Sequence, residues 1–328
     1  MEPPAPGARP EFSVIVPVFN EEKGLDALVA RLVPVMEKLG RFELIFVDDG
    51  SRDGTMAVLR SLCAADNRFG GLSFSRNFGK EIAISAGLDQ ARGDAVIILD
   101  ADLQHPPEVI AEFVAKWREG FHNVYGVRRD RESESPLRRG FARLFYRIFA
   151  RFADTELPEG AGDFRLIDRR AVDVLKALPE RARFSKGLYA WVGFKAAGVP
   201  FDVEERRHGT SRWNFRRLMR FALDGITSFS TVPLRLSIYV GLVASFFAIA
   251  YAVGFIVRTL ILGVDVPGFP SLIVSVMFFS GVQLVFLGVI GEYVGRIFEE
   301  VKRRPLYVVG ERIGVAGKSE AVKTAPKL

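Results

Sequence analysis

A chain of 328 residues is long enough to bury one large core or two ordinary ones. Its 49% hydrophobic and 26% charged residues, with a mean hydropathy of +0.16, suit neither a wholly water-exposed nor a wholly lipid-embedded protein and point to a soluble part joined to a membrane part. The net charge of +6 fits nucleic acid, anionic lipid or a phosphorylated substrate, while the single cysteine, Cys63, excludes an internal disulfide and a cysteine zinc cluster and fits a reducing compartment.

Residues 1–11 are proline-rich and carry no apolar stretch, so they read as a short disordered tail without a signal peptide. From 12 to 127 two patterns alternate. Short β-branched or aromatic runs at 12–19, 42–47, 72–75, 95–99 and 124–127 read as strands. Segments at 21–39, 53–65, 80–91 and 107–119 have helical periodicity. Strand and helix in repetition predict an α/β fold, an open and mostly parallel sheet with helices on both faces. Ligands of such sheets bind beyond the carboxyl ends of the strands, which is where the polar clusters of this sequence fall.

Residues 136–152 follow, with Leu137, Phe141, Leu144, Phe145, Ile148, Phe149 and Phe152 on one helical stripe and five arginines over much of the remainder. That make-up suits a helix in the lipid headgroup region, or equally a helix packed on the domain with its arginines in water; a neighbouring membrane hairpin favours the first. Residues 213–229 are similar in make-up. Two uncharged apolar runs come next, 236–257 and 269–291, of 22 and 23 residues. Each can span about 30 Å of hydrocarbon as a helix. Arginines and lysines flank the outer ends (Arg212, Arg216, Arg217, Arg220 and Arg235; Arg296, Lys302, Arg303 and Arg304), whereas the connecting loop carries Asp265, with Arg258 at its edge. Positive charge favours the cytoplasm, so both termini and the globular part are expected there. The expected division is a catalytic domain at 12–210, a juxtamembrane helix at 211–235, the hairpin at 236–291 and a cytoplasmic tail at 292–328, whose strand-like 306–309 could pair between subunits.

The strongest chemical signal is Asp100-Ala101-Asp102 at the end of the fourth strand, with Gln104 two residues on. Two carboxylates one residue apart at a strand end can face a metal-bound diphosphate, because Mg²⁺ combines one or two carboxylates with phosphate oxygens. The competing reading is a helix cap ahead of Pro106-Pro107. His105, before those prolines, reads as a turn residue. Asp48-Asp49-Gly50-Ser51 ends the second strand, where carboxylates can accept from a base or ribose, or simply build a turn. Pro17-Val18-Phe19-Asn20-Glu21-Glu22 ends the first. Three acidic strand ends on one edge are difficult to assign to turns alone.

The series VIVPVFNEE, FVDDGS, SRNFGKE, LDADLQHPPE, GDFRLIDR, RFSKGLYAWVGF and RHGTSRW resembles family-2 glycosyltransferases of the polyprenol-phosphate type, in order, from about Ser13 to the end of the hairpin. It is most similar to bactoprenol glucosyltransferases and also to dolichol-phosphate mannosyltransferase. The resemblance implies a GT-A fold and an inverting transfer of a sugar from a nucleotide-sugar donor to a polyprenyl phosphate at the cytoplasmic membrane face. It further implies a divalent cation, Mg²⁺ or Mn²⁺, and a homo-oligomer, since similar proteins form tetramers. Closeness to the glucosyltransferases suggests UDP-glucose as donor and undecaprenyl phosphate as acceptor. By motif match, Pro17, Phe19 and Glu21 belong to the donor loop, with Phe19 where tyrosine is more usual; Asp48 and Asp49 belong to the nucleobase and ribose region. Asp100, Asp102 and Gln104 match the metal site, and Asp163 the position often proposed as catalytic base. Arg128, Arg139, Arg206 and Arg212 match the acceptor-phosphate side, each with a headgroup contact or a plain surface charge as the alternative.

A phosphate monoester has a second pKa near 6, so much of such an acceptor is already a dianion at neutral pH and a base would contribute little. Asp163 can instead orient the donor sugar or an arginine. A processive polysaccharide synthase would be expected to show Gln-X-X-Arg-Trp and more spans, against Ser211-Arg212-Trp213 and two spans here. A non-catalytic membrane scaffold is disfavoured by the presence of both metal aspartates. Nucleic acid is not expected as a partner, because the arginines accompany Phe-rich stripes.

Overall fold

The computed structural model describes residues 9–129, 161–204 apart from 179, 182 and 184, 232–262 and 268–314. The expected interfacial helix at 136–152, most of the juxtamembrane segment at 211–235, the Asp265 loop and residues Arg139, Arg206 and Arg212 therefore lie outside the described residues.

Eight strands form one sheet: β1 Phe12–Val18, β2 Phe42–Asp48, β3 Phe69–Phe74, β4 Ala95–Ile98, β5 Asn123–Arg128, β6 Ala161–Asp168, β7 Ala196–Phe201 and β8 Val309–Gly314, in the order β7-β5-β6-β4-β1-β2-β3-β8. The pairings β4–β1, β1–β2, β2–β3 and β5–β7 are parallel, while β6 runs against both its neighbours and β8 runs against β3. All strands but β6 and β8 consequently point the same way, as the strand-helix repetition predicts.

The α-helices among the described residues are α1 Leu25–Leu39, α2 Thr55–Ala65, α3 Lys80–Gln90, α4 Ile110–Arg118, α5 Arg169–Ala177, α6 Ser185–Trp191, α7 Val232–Leu262 and α8 Phe269–Val301. The central strands β1 to β4 are buried on both faces. Phe12, Val14, Val16 and Val18 of β1 pack with Leu28 and Leu32 of α1, Leu59 of α2 and Phe113 of α4. Ile15 turns to the opposite face, against Ala83 and Ile84 of α3, Val172 of α5 and Leu188 of α6. Burial on two sides explains why β1 reads FSVIVPV, nearly continuous in apolar residues, rather than alternating with charge.

Strands β6 and β7 were not among the expected elements, and β8 meets the strand-like 306–309 only at Val309. The last of these also changes the reading of the chain's end. Residues 292–301 continue α8, and β8 then returns to pair with β3 of the same chain, whereas the sequence suggested a tail whose 306–309 pairs between subunits. The Arg60 guanidinium grips the Glu311 carboxylate through two bonds of 2.8 and 2.7 Å, and Tyr307 stacks on Phe74 at 5.0 Å while donating to Asp89. An edge that would otherwise expose unpaired backbone groups is thereby covered.

Two helices are long and apolar enough to cross a membrane, over Ser237–Arg258 within α7 and Leu272–Val301 within α8, and neither segment is buried within the protein. Both helices outrun the predicted runs, reaching 31 and 33 residues. At 1.5 Å per residue α8 is about 50 Å long, so roughly 20 Å, including Glu292, Arg296, Glu299 and Glu300, exceeds a hydrocarbon core of about 30 Å.

Candidate active site

Parallel strands place the ends of β1, β2, β3 and β4 on one edge, which collects the polar clusters. Beyond β1 and β4 lies a cavity of about 190 Å³ lined by Pro17, Phe19, Glu21, Asp49, Lys80, Asp100 and Asp102, among others. Phe19 offers it a 44% exposed ring, a face on which a planar base can stack. Asp48 lies beneath rather than on the lining: it is 1% exposed, accepting from Ser73 at 2.6 Å and from the Ser51 amide at 3.1 Å. Asp49 accepts from the amides of Phe78 and Gly79, which fixes the loop between β3 and α3. Gly50, at φ +72°, makes the turn between these contacts; a Cβ there would stand 2.6 Å from the Arg76 carbonyl carbon.

The turn after β4 is equally constrained. Leu103 is buried yet held at φ +58°, an outlier for a bulky side chain, and the Gln104 amide donates to Asp102 Oδ1 at 3.1 Å. Gln104 itself is not on the cavity lining. Its carbonyl accepts from the Glu204 amide, tying this turn to the chain just before residues 206 and 212. His105 is buried between Phe164, stacked at 5.2 Å, and Phe201, edge-on at 5.4 Å. Burial lowers its pKa; Asp100 works in the other direction and Arg128 adds to the lowering, so the ring is neutral near pH 7. Arg128, which acts on that ring, is exposed at the end of β5.

Asp163 reaches the site through strand register. β6 pairs antiparallel with β4, Arg165 opposite Ile98, so the same register carried two residues further sets Asp163 opposite Asp100. Between them lies the Lys80 ammonium, 2.7 Å from Asp100 Oδ1 and 2.8 Å from Asp163 Oδ2. Desolvation works against the Lys80 cation, but the two carboxylates outweigh it and hold the amine above its ordinary value. Burial alone would raise Asp163; Lys80, Lys186 and Arg165 reverse this and hold it well below the usual carboxylate range.

Behind Asp163 is a buried polar cluster that the sequence did not disclose. Arg165 lies over the Tyr189 ring at 3.8 Å and donates to the Gly162 carbonyl at 2.6 Å. One oxygen each of Glu81 and Asp163, the Tyr189 hydroxyl and Arg165 Nε are buried without a hydrogen-bond partner among the described residues. Lys80, Arg165 and Tyr189 all stand in motifs that carry the family resemblance (SRNFGKE, GDFRLIDR and RFSKGLYAWVGF). Lys80 opens a helix just past a strand end, a position that could have marked it.

Burial, reinforced by Asp163 and opposed by Ser185, Lys80 and Lys186, pushes the Glu81 carboxyl up to about 7. Its folded pKa lies above its unfolded one, so its contribution to stability is complete below the unfolded pKa of about 4.3 and is lost as pH rises towards 7. Glu81→Gln, permanently neutral, is expected to raise the melting temperature more at pH 8 than at pH 5. Thermal unfolding at the two pH values checks this, and a larger gain at pH 5 would contradict it.

The carboxylate pair fits a divalent cation of a particular kind. Among the described residues no three His, Cys, Asp or Glu side chains converge as a metal cage. Asp100 and Asp102 alone suit a hard cation that takes its remaining ligands from water and phosphate oxygens.

The chain matches the family described as glycosyl transferase family 2 over residues 13–175. It is 49% identical to the uncharacterized glycosyltransferase sll0501 of Synechocystis over 93% of this chain and 96% of that one. It is 44% identical to a prophage-derived bactoprenol glucosyl transferase of Shigella flexneri, over 91% and 97%. A solved glucosyl-3-phosphoglycerate synthase from Mycobacterium tuberculosis, with Mn²⁺ and UDP-glucose, is similar at 20% identity and a TM-score of 0.42, covering 66% of this chain and 77% of that one, a likeness too remote to bear on the site.

Proposed function

Since the chain belongs to glycosyl transferase family 2, we propose that it transfers glucose from UDP-glucose to a polyprenyl phosphate, with inversion, at the cytoplasmic face of a membrane. The observation that carries this reading is the pairing of Asp100 and Asp102 at a strand-end cavity with two apolar helices in the same chain. The choice of acceptor and sugar is supported by relatives named bactoprenol glucosyl transferase, at 42–44% identity over 91% of this chain.

In this reading Phe19 stacks on the nucleobase, and Pro17, Glu21 and Asp49 shape the donor pocket over the buried Asp48. Asp100 and Asp102, with Gln104 fixing their turn, would hold Mg²⁺ or Mn²⁺, whose charge offsets the negative charge of the departing nucleoside diphosphate. Arg128, Arg139, Arg206 and Arg212 bind the acceptor phosphate at headgroup depth through forked hydrogen bonds. Asp163, anionic and weakly basic, orients the donor sugar and its neighbouring cations. The acceptor dianion attacks the anomeric carbon without a proton needing removal. A donor screen tests the sugar: with undecaprenyl phosphate present, UDP release from UDP-glucose is expected to exceed nucleotide release from GDP-mannose or other UDP-sugars, and the reverse ranking would reassign the donor.

The same reading places both termini in the cytoplasm. Asp265→Cys and Glu320→Cys report on this in intact cells with a membrane-impermeant thiol reagent. Burial pushes the native Cys63 thiol up to about 11, which keeps it slow to react. Labelling at 265 but not at 320 is expected; the opposite pattern would refute the topology.

A further inference from the structure

We infer that Lys80 is a displaceable counter-cation, which occupies the Asp100–Asp163 gap in the free enzyme and moves to the diphosphate when the metal-bound nucleotide enters. This rests on the proposed metal-and-nucleotide reading of the site and adds an order of loading to it. The Lys80 ammonium contacts both oxygens of Asp100, at 2.7 and 2.8 Å, so it lies in the space a cation bound to that carboxylate would need. Lys80 and a divalent cation at Asp100 would stand as like charges within a few ångströms, so each weakens the other.

The lysine is also built to leave. Its side chain is 41% exposed, it is the first residue of α3, and it follows Gly79, at φ +102°, with no atom within 4 Å of the position a Cβ would take there. Lys80 lines the same cavity as Phe19 and Asp102, so a diphosphate seated between base and metal comes within reach of its flexible arm. An ammonium on a four-carbon stem suits that exchange, since it binds phosphate as a point charge without fixed fork geometry. Metal alone must compete with Lys80; metal with nucleotide gives Lys80 a new anion. The two ligands therefore assist each other through one side chain.

The test measures Mn²⁺ affinity of the full-length protein in nanodiscs, from the free-ion electron paramagnetic resonance signal, with and without UDP. Lys80→Met is expected to bind Mn²⁺ alone about tenfold more tightly than the native protein and to show a correspondingly smaller enhancement by UDP. Lys80→Arg, which keeps the charge, should bind Mn²⁺ alone as weakly as the native protein. Lys80→Gln replaces Lys80→Met should the latter fail to fold. An unchanged or weaker Mn²⁺ affinity would overturn the inference. So would tighter binding with undiminished UDP enhancement, as expected of a fixed cross-link acting only through its charge. In either case the proposed function survives if native protein with UDP binds Mn²⁺ and Asp100→Asn does not. Absence of Mn²⁺ binding to every variant, even with UDP, would instead overturn the metal reading beneath it.

Discussion

Replacing Asp100 or Asp102 with asparagine is expected to lower turnover by about a hundredfold or more while leaving the protein folded. The carboxylates lie at a cavity wall rather than in the core, and the Asp100–Lys80 pair involves a lysine that is 41% exposed, a setting in which an ion pair contributes little stability. In the proposed reaction their loss falls instead on the transition state, where charge builds on the leaving diphosphate. A side-chain amide keeps the size and one oxygen but removes the charge. Turnover in excess chelator should fall to a similar level and recover on addition of Mg²⁺ or Mn²⁺. Full activity in chelator, or in both variants, would contradict the metal assignment.

Arg206→Ala and Arg128→Ala are expected to weaken use of the lipid phosphate by about ten- to a hundredfold, at roughly 1.5–3 kcal/mol for each charge-assisted hydrogen bond. UDP binding without acceptor should change little. Arg128 stands at the end of β5, near enough to act on His105, and residue 206 follows Glu204, whose amide donates to the Gln104 carbonyl. Asp163→Asn provides the contrast. Because Asp163 is held well below the usual carboxylate range, it stays ionised across the working pH range and is a poor proton acceptor. Its defect should thus be nearly constant from pH 6 to 9. Were it the base, the defect would shrink at high pH, where the acceptor is fully dianionic. Unchanged acceptor kinetics in every arginine variant would overturn the docking role.

Elements whose local pattern matches their surroundings were legible in the sequence. β1, β2 and β4 are buried on both faces and read as apolar runs. β3 begins at Phe69, earlier than predicted, because Gly70 and Gly71 weaken the strand signal; Gly71 passes so close to the Phe46 carbonyl that a Cβ would stand 2.8 Å from it. β6 was hidden because Asp163 and Arg165, charged residues inside a strand, interrupt its apolar pattern. β7 contains Gly198 and Pro200, and β8 is a half-exposed edge strand with glycine near either end, so neither carries a local signature.

The site shows the same division. Phe19 and Asp49, directly after β1 and β2, and Asp100 and Asp102, within four residues of the end of β4, could be placed at one edge from sequence because the alternation fixes the direction of those strands. The contact of Lys80 with Asp163 depends on the antiparallel register of β6 against β4, between residues far apart in the chain, which no local pattern encodes. The partnerless buried atoms of Glu81, Arg165 and Tyr189 likewise become visible only when α3, β6 and α6 meet.

Mass spectrometry of the lipid product decides whether the protein transfers a hexose to a polyprenyl phosphate. Full-length protein in nanodiscs would be given UDP-glucose, undecaprenyl phosphate and Mg²⁺, with Asp100→Asn in parallel. A lipid heavier by one hexose is expected, formed in equal amount to the UDP released and nearly absent with Asp100→Asn. UDP released at the same rate without the lipid, or an unmodified lipid with every nucleotide-sugar offered, would contradict it.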